Sequence, residues 1–144
     1  MKCLVTGGSG FLGSHVADEL TRIGHAVTIF DKKLSKWKNV KQKMIVGNLL
    51  NYSLLERAIK GQDIILHFAG MSDLGESLYK PIKTIEHNIL GTAYILEFCK
   101  KYSVKRFIHA STIYVNSDQG GFYRSSKKAA EDYVQEYQKR YGLS

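Results

Sequence analysis

Gly7, Gly10 and Gly13 recur at every third position directly after the apolar run Lys2-Cys3-Leu4-Val5-Thr6 and directly before an amphipathic segment. That order reads as strand, glycine turn, helix. Glycines so placed let backbone N–H groups close on a pyrophosphate at a helix N-terminus. A dinucleotide held there needs further groups, and the rest of the chain offers candidates.

Strand-like and helix-like stretches alternate. Residues 2–6 barely alternate polar with apolar, which predicts a strand buried on both faces. Phe11, Leu12, Val16, Leu20 and Ile23 fall at helical spacing over 11–23, closed by Gly24. Strands are predicted at 26–30, ended by Asp31, at Met44-Ile45-Val46, at 63–67 and at 105–110. Helices are predicted at 52–60, with Asn51 as N-cap, from Ile82 to Tyr102, and from Tyr123 to Tyr141, stopped at Gly142. A loop of small residues covers 69–77, and Pro81 sits at a loop-to-helix junction. The pattern predicts an α/β fold: a Rossmann-type doubly wound parallel sheet of five strands with helices on both faces. A chain of 144 residues makes one such domain.

The formal net charge is +8, and much of it lies in Lys32, Lys33, Lys36, Lys38, Lys41 and Lys43. The run holds one aromatic, Trp37, and no arginine, so it is poor in stacking and bidentate base contacts. A solvated loop with room for one helical turn is expected, and no nucleic-acid partner; a nucleic-acid-binding use of Lys32–Lys43 is the alternative. Cys3 and Cys99 fall in apolar stretches and are expected as buried reduced thiols. No Cys/His cluster suggests a metal. No signal peptide or membrane-spanning run is present, so a cytoplasmic location without membrane partners is expected.

Asp31 ends the second strand 18 residues after Gly13. A carboxylate there accepts from a ribose diol and repels a 2′-phosphate, which favours NAD over NADP. Lys32 and Lys33 beside it temper that preference. Tyr123 and Lys127 stand at i and i+4, hence on one helix face. A fixed ammonium beside a phenol favours the phenolate, which suits a general base acting on a hydroxyl whose carbon loses hydride. Ser111 and Thr112 follow the fifth strand, where strand ends face a cofactor crevice. A hydroxyl there is placed to bond both the tyrosine and a substrate oxygen.

Together these stretches resemble the extended short-chain dehydrogenase/reductase family, in its NAD-dependent epimerase/dehydratase branch. Thr6-Gly7-Gly8-Ser9-Gly10-Phe11-Leu12-Gly13 is similar to the family's TGGxGFxG opening, and Asp31 to its ribose-binding acid. Asn48-Leu49 stands where the family has Asp and an aliphatic residue near the adenine; the Asn carbonyl can still accept from the adenine amine. His67-Phe68-Ala69-Gly70 resembles the HxAG loop. Ser77, Pro81, Asn88 and Gly91-Thr92 reproduce the S-x-x-x-P…N-x-x-G-T spacing. Ser111-Thr112 and Tyr123…Lys127 match the catalytic hydroxyl and the YxxxK pair. The resemblance implies NAD held by Gly7, Gly10, Phe11, Leu12 and Gly13 of the loop, by Asp31 with Lys32, and by Asn48 and Leu49. It adds Phe68, Ala69 and Gly70, then Asn88, Ser111, Tyr123 and Lys127.

The resemblance also implies a reaction on a nucleotide-sugar, with Thr112, Tyr123 and Lys127 catalytic. Tyr123 takes a proton from a sugar hydroxyl, NAD accepts the hydride, the keto sugar turns over, and the hydride returns to its other face. Lys127 lowers the tyrosine's pKa and bonds the nicotinamide ribose, while Thr112 orients the reacting oxygen. Phe68-Ala69-Gly70 and Gly75-Glu76-Ser77 look most like the branch's UDP-glucose 4-epimerases. A 4,6-dehydratase of the family carries Asp-Glu directly after its Thr; Ile113 and Tyr114 occupy those places here, which argues against dehydration. Val115-Asn116-Ser117 replaces the family's V-Y-G, and the interval to Tyr123 is short, so a trimmed substrate-facing loop is expected.

Family members continue past this last helix into a sixth strand and a smaller domain that grips the nucleotide-sugar. Residues 1–144 are therefore expected to be an incomplete NAD-binding Rossmann domain without its substrate domain, with little or no turnover alone. A non-catalytic dinucleotide sensor or regulator on the same fold is a second class. The family commonly forms homodimers through the helices corresponding to 82–102 and 123–141. Tyr94, Ile95, Phe98, Tyr133, Val134 and Tyr137 offer an apolar face for that, or simply cover the sheet.

Overall fold

The computed structural model describes residues 1–144. β1 (Lys2–Thr6), β2 (Ala26–Asp31), β3 (Lys43–Val46), β4 (Ile64–His67) and β5 (Arg106–His109) form one parallel sheet in the order β3-β2-β1-β4-β5. The chain moves outward from β1 to β3, then resumes on the other side of β1 with β4 and β5. Strand order therefore reverses between β1 and β4, where open α/β sheets form a crevice at their carboxyl ends. Register places Thr6 beside Phe30 and His67, so the loops leaving β1, β2 and β4 emerge side by side.

Side-chain alternation along the strands divides the core between two faces. Leu4, Phe30, Ile65 and Phe107 pack with Leu55 and Ile59 of α2 (Tyr52–Ile59) and Ile95, Leu96 and Phe98 of α5 (Gly91–Lys101). Val134 and Tyr137 of α6 (Gly121–Tyr141) close over the same cluster. Cys3, Val5, Val27, Ile29 and Leu66 meet Ala17 of α1 (Phe11–Arg22) on the opposite face. β1 is thus covered on both faces, the reason its sequence does not alternate. Burying each large aliphatic or aromatic side chain contributes about 1.5–3 kcal/mol.

Helix starts follow local chemistry. Asn51 caps α2, its side chain accepting from the Leu54 N–H at 3.1 Å. Pro81 opens α4 (Pro81–Ile85), where its missing N–H costs nothing. Both cysteines are buried free thiols, and burial pushes Cys99 up to about 12. No helix is long and apolar enough to cross a membrane.

Several expectations change. The stretch 69–77 is not all loop, because α3 (Leu74–Tyr79) starts within it, capped by the Asp73 side chain on the Glu76 N–H. The long helix begins at Pro81 and contains a π-helical stretch (Glu86–Leu90) between α4 and α5. The lysine-rich segment forms no helical turn. Instead the buried Gln42 pins it to α1, donating to Asp18 and Thr21. Ile95 and Phe98 are 0% and 1% exposed and belong to the core rather than to an exposed apolar face. Tyr94, Val134 and Tyr137 also pack on that core, which leaves Tyr133 as the exposed member of the six. Five of the six thus pack on the core of this face.

Candidate functional site

A cleft of about 480 Å³ opens at the carboxyl ends of β1 to β4. Gly7, Ser9 and Gly10 line it after β1, Asp31 and Lys32 at the end of β2, Asn48 and Leu49 after β3, and Phe68, Ala69 and Gly70 after β4. Gly7 has a φ of +74°, and a Cβ there would stand 2.6 Å from the Ala69 nitrogen. Only glycine lets these two loops touch. At Gly13 a Cβ would stand 2.3 Å from the Gly7 carbonyl oxygen, so its absence seats α1 against the turn.

Ser14 N–H reaches the Gly10 carbonyl, but the N–H groups of Phe11, Leu12 and Gly13 have no acceptor within the chain. Three such donors at the positive end of a 12-residue helix fit an anionic phosphate. Asp31 adjoins them. Its Oδ2 accepts from the Ser9 N–H and its Oδ1 from the Lys33 N–H, both at 3.0 Å. Each oxygen keeps accepting capacity for a hydroxyl. Asp31 thus ties the glycine loop to β2 as well as facing the cleft, a second role its sequence position did not disclose.

The lysine run divides. Lys32, Lys33 and Lys36 line the cleft mouth with Trp37, which is 68% exposed. Lys41 and Lys43 lie at the opposite, amino end of the sheet. The run therefore presents no single basic strip. Phe30, Gly47, Met71 and His87 also line the cleft and were not singled out from sequence. Of these, only Gly47 carried a signal, its place immediately after a strand.

Behind the cleft lies a buried polar network. Thr92 donates to the Asn88 carbonyl at 2.7 Å, so its oxygen accepts from His67 Nε2–H at 3.0 Å. His67 Nδ1 then accepts from the Thr6 hydroxyl at 2.7 Å, and the Thr6 oxygen accepts from the Ala69 N–H. These proton positions, assigned from the network, satisfy every group. His67 is neutral: burial, then the nearby His109 and Lys127, hold its pKa well below the usual imidazole range. Asn88 Oδ1 accepts from the Met71 N–H, while its Nδ2 donates to the Met71 carbonyl and to Ser126. Its amide is spent holding the loop after β4 to α6, and it does not line the cleft.

At the end of β5, the Lys127 ammonium donates to the Ala110 carbonyl at 2.5 Å and to His109 Nε2 at 3.2 Å. Burial pulls its pKa down to about 8, against an opposing pull from Glu131. Burial and then Lys127 lower His109 to about 3. The His109 proton therefore sits on Nδ1, which is buried without a partner. Tyr123 lies one turn before Lys127 and is half-buried; Ser126 bonds its carbonyl, and its phenol is free of bonds within the chain. Thr112 Oγ1 accepts from the Tyr114 N–H at 3.4 Å, capping the 3₁₀ turn Ile113–Asn116. Ser111 donates to Glu131. Neither hydroxyl bonds Tyr123, contrary to expectation, because these local acceptors and donors compete for them. Phe11, Leu12 and Gly13 stand at the α1 N-terminus beside the cleft rather than in its lining; Ser111 and Thr112 follow β5, Lys127 reaches its end from α6 with Tyr123 one turn before it, and none of these four lines the cleft.

The model of the NAD dependent epimerase/dehydratase family matches residues 3–144. The chain is 34% identical over 179 residues to dTDP-D-glucose 4,6-dehydratase of Dictyostelium discoideum, covering 99% of this chain and 41% of that protein. It is 32% identical over 131 residues to a UDP-glucose 4-epimerase of Klebsiella pneumoniae, covering 83% of this chain and 94% of that one. The solved UDP-glucose 4-epimerase of Thermus thermophilus, in complex with NAD, superposes with a TM-score of 0.91 at 29% identity, over 99% of this chain and 52% of that one. The chain thus spans about two fifths of the dehydratase's length and about half of the solved epimerase's.

Proposed function

The chain belongs to the NAD dependent epimerase/dehydratase family, and from that premise we propose that residues 1–144 hold NAD for a nucleotide-sugar epimerase. The observation that carries this is the set of unaccepted N–H groups at Phe11, Leu12 and Gly13, with Asp31 on the adjoining wall. The N–H groups bind the pyrophosphate, Asp31 the adenosine ribose diol, and Asn48 and Leu49 border the adenine. Bound NAD supplies a hydride acceptor. Tyr123 takes the proton of a sugar hydroxyl, and Lys127, anchored on the Ala110 carbonyl, stabilises the phenolate. Thr112 accepts from the Tyr114 N–H and keeps its hydroxyl proton to donate to a substrate oxygen.

Epimerisation is favoured over dehydration by the 3₁₀ turn itself. Ile113, 84% exposed, and Tyr114 follow Thr112, so the turn carries no carboxyl group to deliver the proton that loss of water requires. The intact tyrosine–lysine pair favours an enzyme over a sensor. Substrate grip is assigned to the part of the longer relatives that residues 1–144 do not match.

Thermal melts of residues 1–144 test the cofactor. At about 100 times its Kd, NAD should add about 2.7 kcal/mol of stability, with a smaller gain from NADP. Asp31→Ala should reduce the NAD gain. No gain with NAD, or a larger one with NADP, overturns the reading. NAD and UDP-glucose together should give no measurable epimerisation by these residues; robust turnover would place the substrate grip within them.

A further inference from the structure

We propose that the amino end of the sheet carries a second ligand site, which takes a short polyphosphate chain. A cleft of about 270 Å³ lies there, at the end of the strands away from the glycine loop, lined by Lys2, Lys41, Lys43, Lys60 and Gln62 and by the start of β2. Four separate places in the chain deliver the lysines: the first residue of β1, the segment before β3, the first residue of β3, and the C-cap of α2. None of the four joins an ion pair.

No carboxylate lines the cleft. The acids nearest in sequence already have partners. Asp63 accepts from the Lys2 backbone and pairs with Lys105 at 2.8 Å, and Glu56 holds Lys101 and Tyr102. Unpaired ammonium groups around one concavity raise one another's energy, and a multiply charged anion relieves that repulsion. Lys60 also offsets the negative end of α2, which would otherwise disfavour an anion.

Gln62 stiffens the floor of the cleft. Its Nε2 is held by the Ala58 carbonyl at 3.2 Å, which fixes the amide's orientation, and its Oε1 is buried without a donor. The volume is below the roughly 300–1,000 Å³ of pockets that engulf drug-sized ligands. It is too small to enclose a whole dinucleotide and accommodates a phosphate chain. The site does not depend on how the glycine-loop cleft is used.

Calorimetric titration of residues 1–144 with inorganic tripolyphosphate, phosphate and ATP tests the assignment. Tripolyphosphate should bind one-to-one, at least tenfold tighter than phosphate, and weaken as salt rises. ATP should bind within threefold of tripolyphosphate, and saturating NAD should leave both unchanged. Lys43→Ala with Lys60→Ala should weaken binding at least tenfold while the NAD melting shift persists. Lys43→Gln with Lys60→Gln, which keeps the stems, should lose as much. The proposal is overturned if tripolyphosphate does not bind, if NAD displaces it, if both double variants retain affinity, or if ATP binds tenfold tighter through its base.

Discussion

A methyl group at Gly13 would stand 2.3 Å from the Gly7 carbonyl oxygen and 2.9 Å from the Gly8 Cα. Backbone cannot yield as a flexible side chain can. Gly13→Ala should therefore lever α1 off the sheet and cost about 1–3 kcal/mol, read as a lower urea midpoint; an unchanged midpoint would show that α1 shifts freely. Lys127 makes stability depend on pH. Its pKa is about 8 folded against an ordinary 10.5. Between those values the unfolded chain binds more protons, so stability rises as pH climbs from about 8 towards 10.5, and the full penalty of the buried ammonium applies below 8. Lys127→Met should flatten that rise, as denaturant midpoints at alkaline pH would show. His109, at about 3 against 6.5, acts at the other end: stability falls as pH drops from 6.5 towards 3, and His67 adds to the fall. The places of Asp31 at the end of β2 and of Tyr123 and Lys127 one turn apart on α6 were legible because spacing to a strand end or along a helix is local. The commitments of Ser111 to Glu131 and of Thr112 to the Tyr114 N–H were not, because a side chain's choice among nearby partners depends on loop conformation.

Among the elements, the π-helical stretch holds the site's back wall through Asn88. Asn88→Ala would strip partners from the Met71 N–H, the Met71 carbonyl and the Ser126 hydroxyl. The expected cost is about 2–4 kcal/mol, with faster amide exchange at Met71 than in β1; equal protection at both would show that the clamp is dispensable. The five strands and the α2 cap were readable because apolar periodicity and an Asn at a helix start act within a few residues. The π stretch was not: its Asn88 answers to the Met71 backbone, 17 residues earlier in the chain. Nor was α3, whose cap Asp73 and partner Glu76 lay among small residues that resemble a loop.

At the scale of the whole molecule, alternation of strands and helices was enough to expect a parallel sheet, and the glycine turn enough to say where its cleft lies. Which residues remain free after the sheet is covered was not legible, because Ile95 and Phe98 read alike as core or as interface until α5 is laid down. The lysine run shows the same limit. Contiguous in sequence, it is divided by the fold between opposite ends of the sheet. The walls of the cleft also govern how quickly it fills. The β1 and β4 loops touch at Gly7 and Ala69, and the directed chain of protons from Ala69 through Thr6, His67 and Thr92 holds them there in the folded chain. Preorganised walls leave no slow rearrangement for a dinucleotide to await. In stopped-flow mixing, the observed association rate of NAD should rise linearly with its concentration; a plateau would reveal an isomerisation that this hydrogen-bonded frame has no room for.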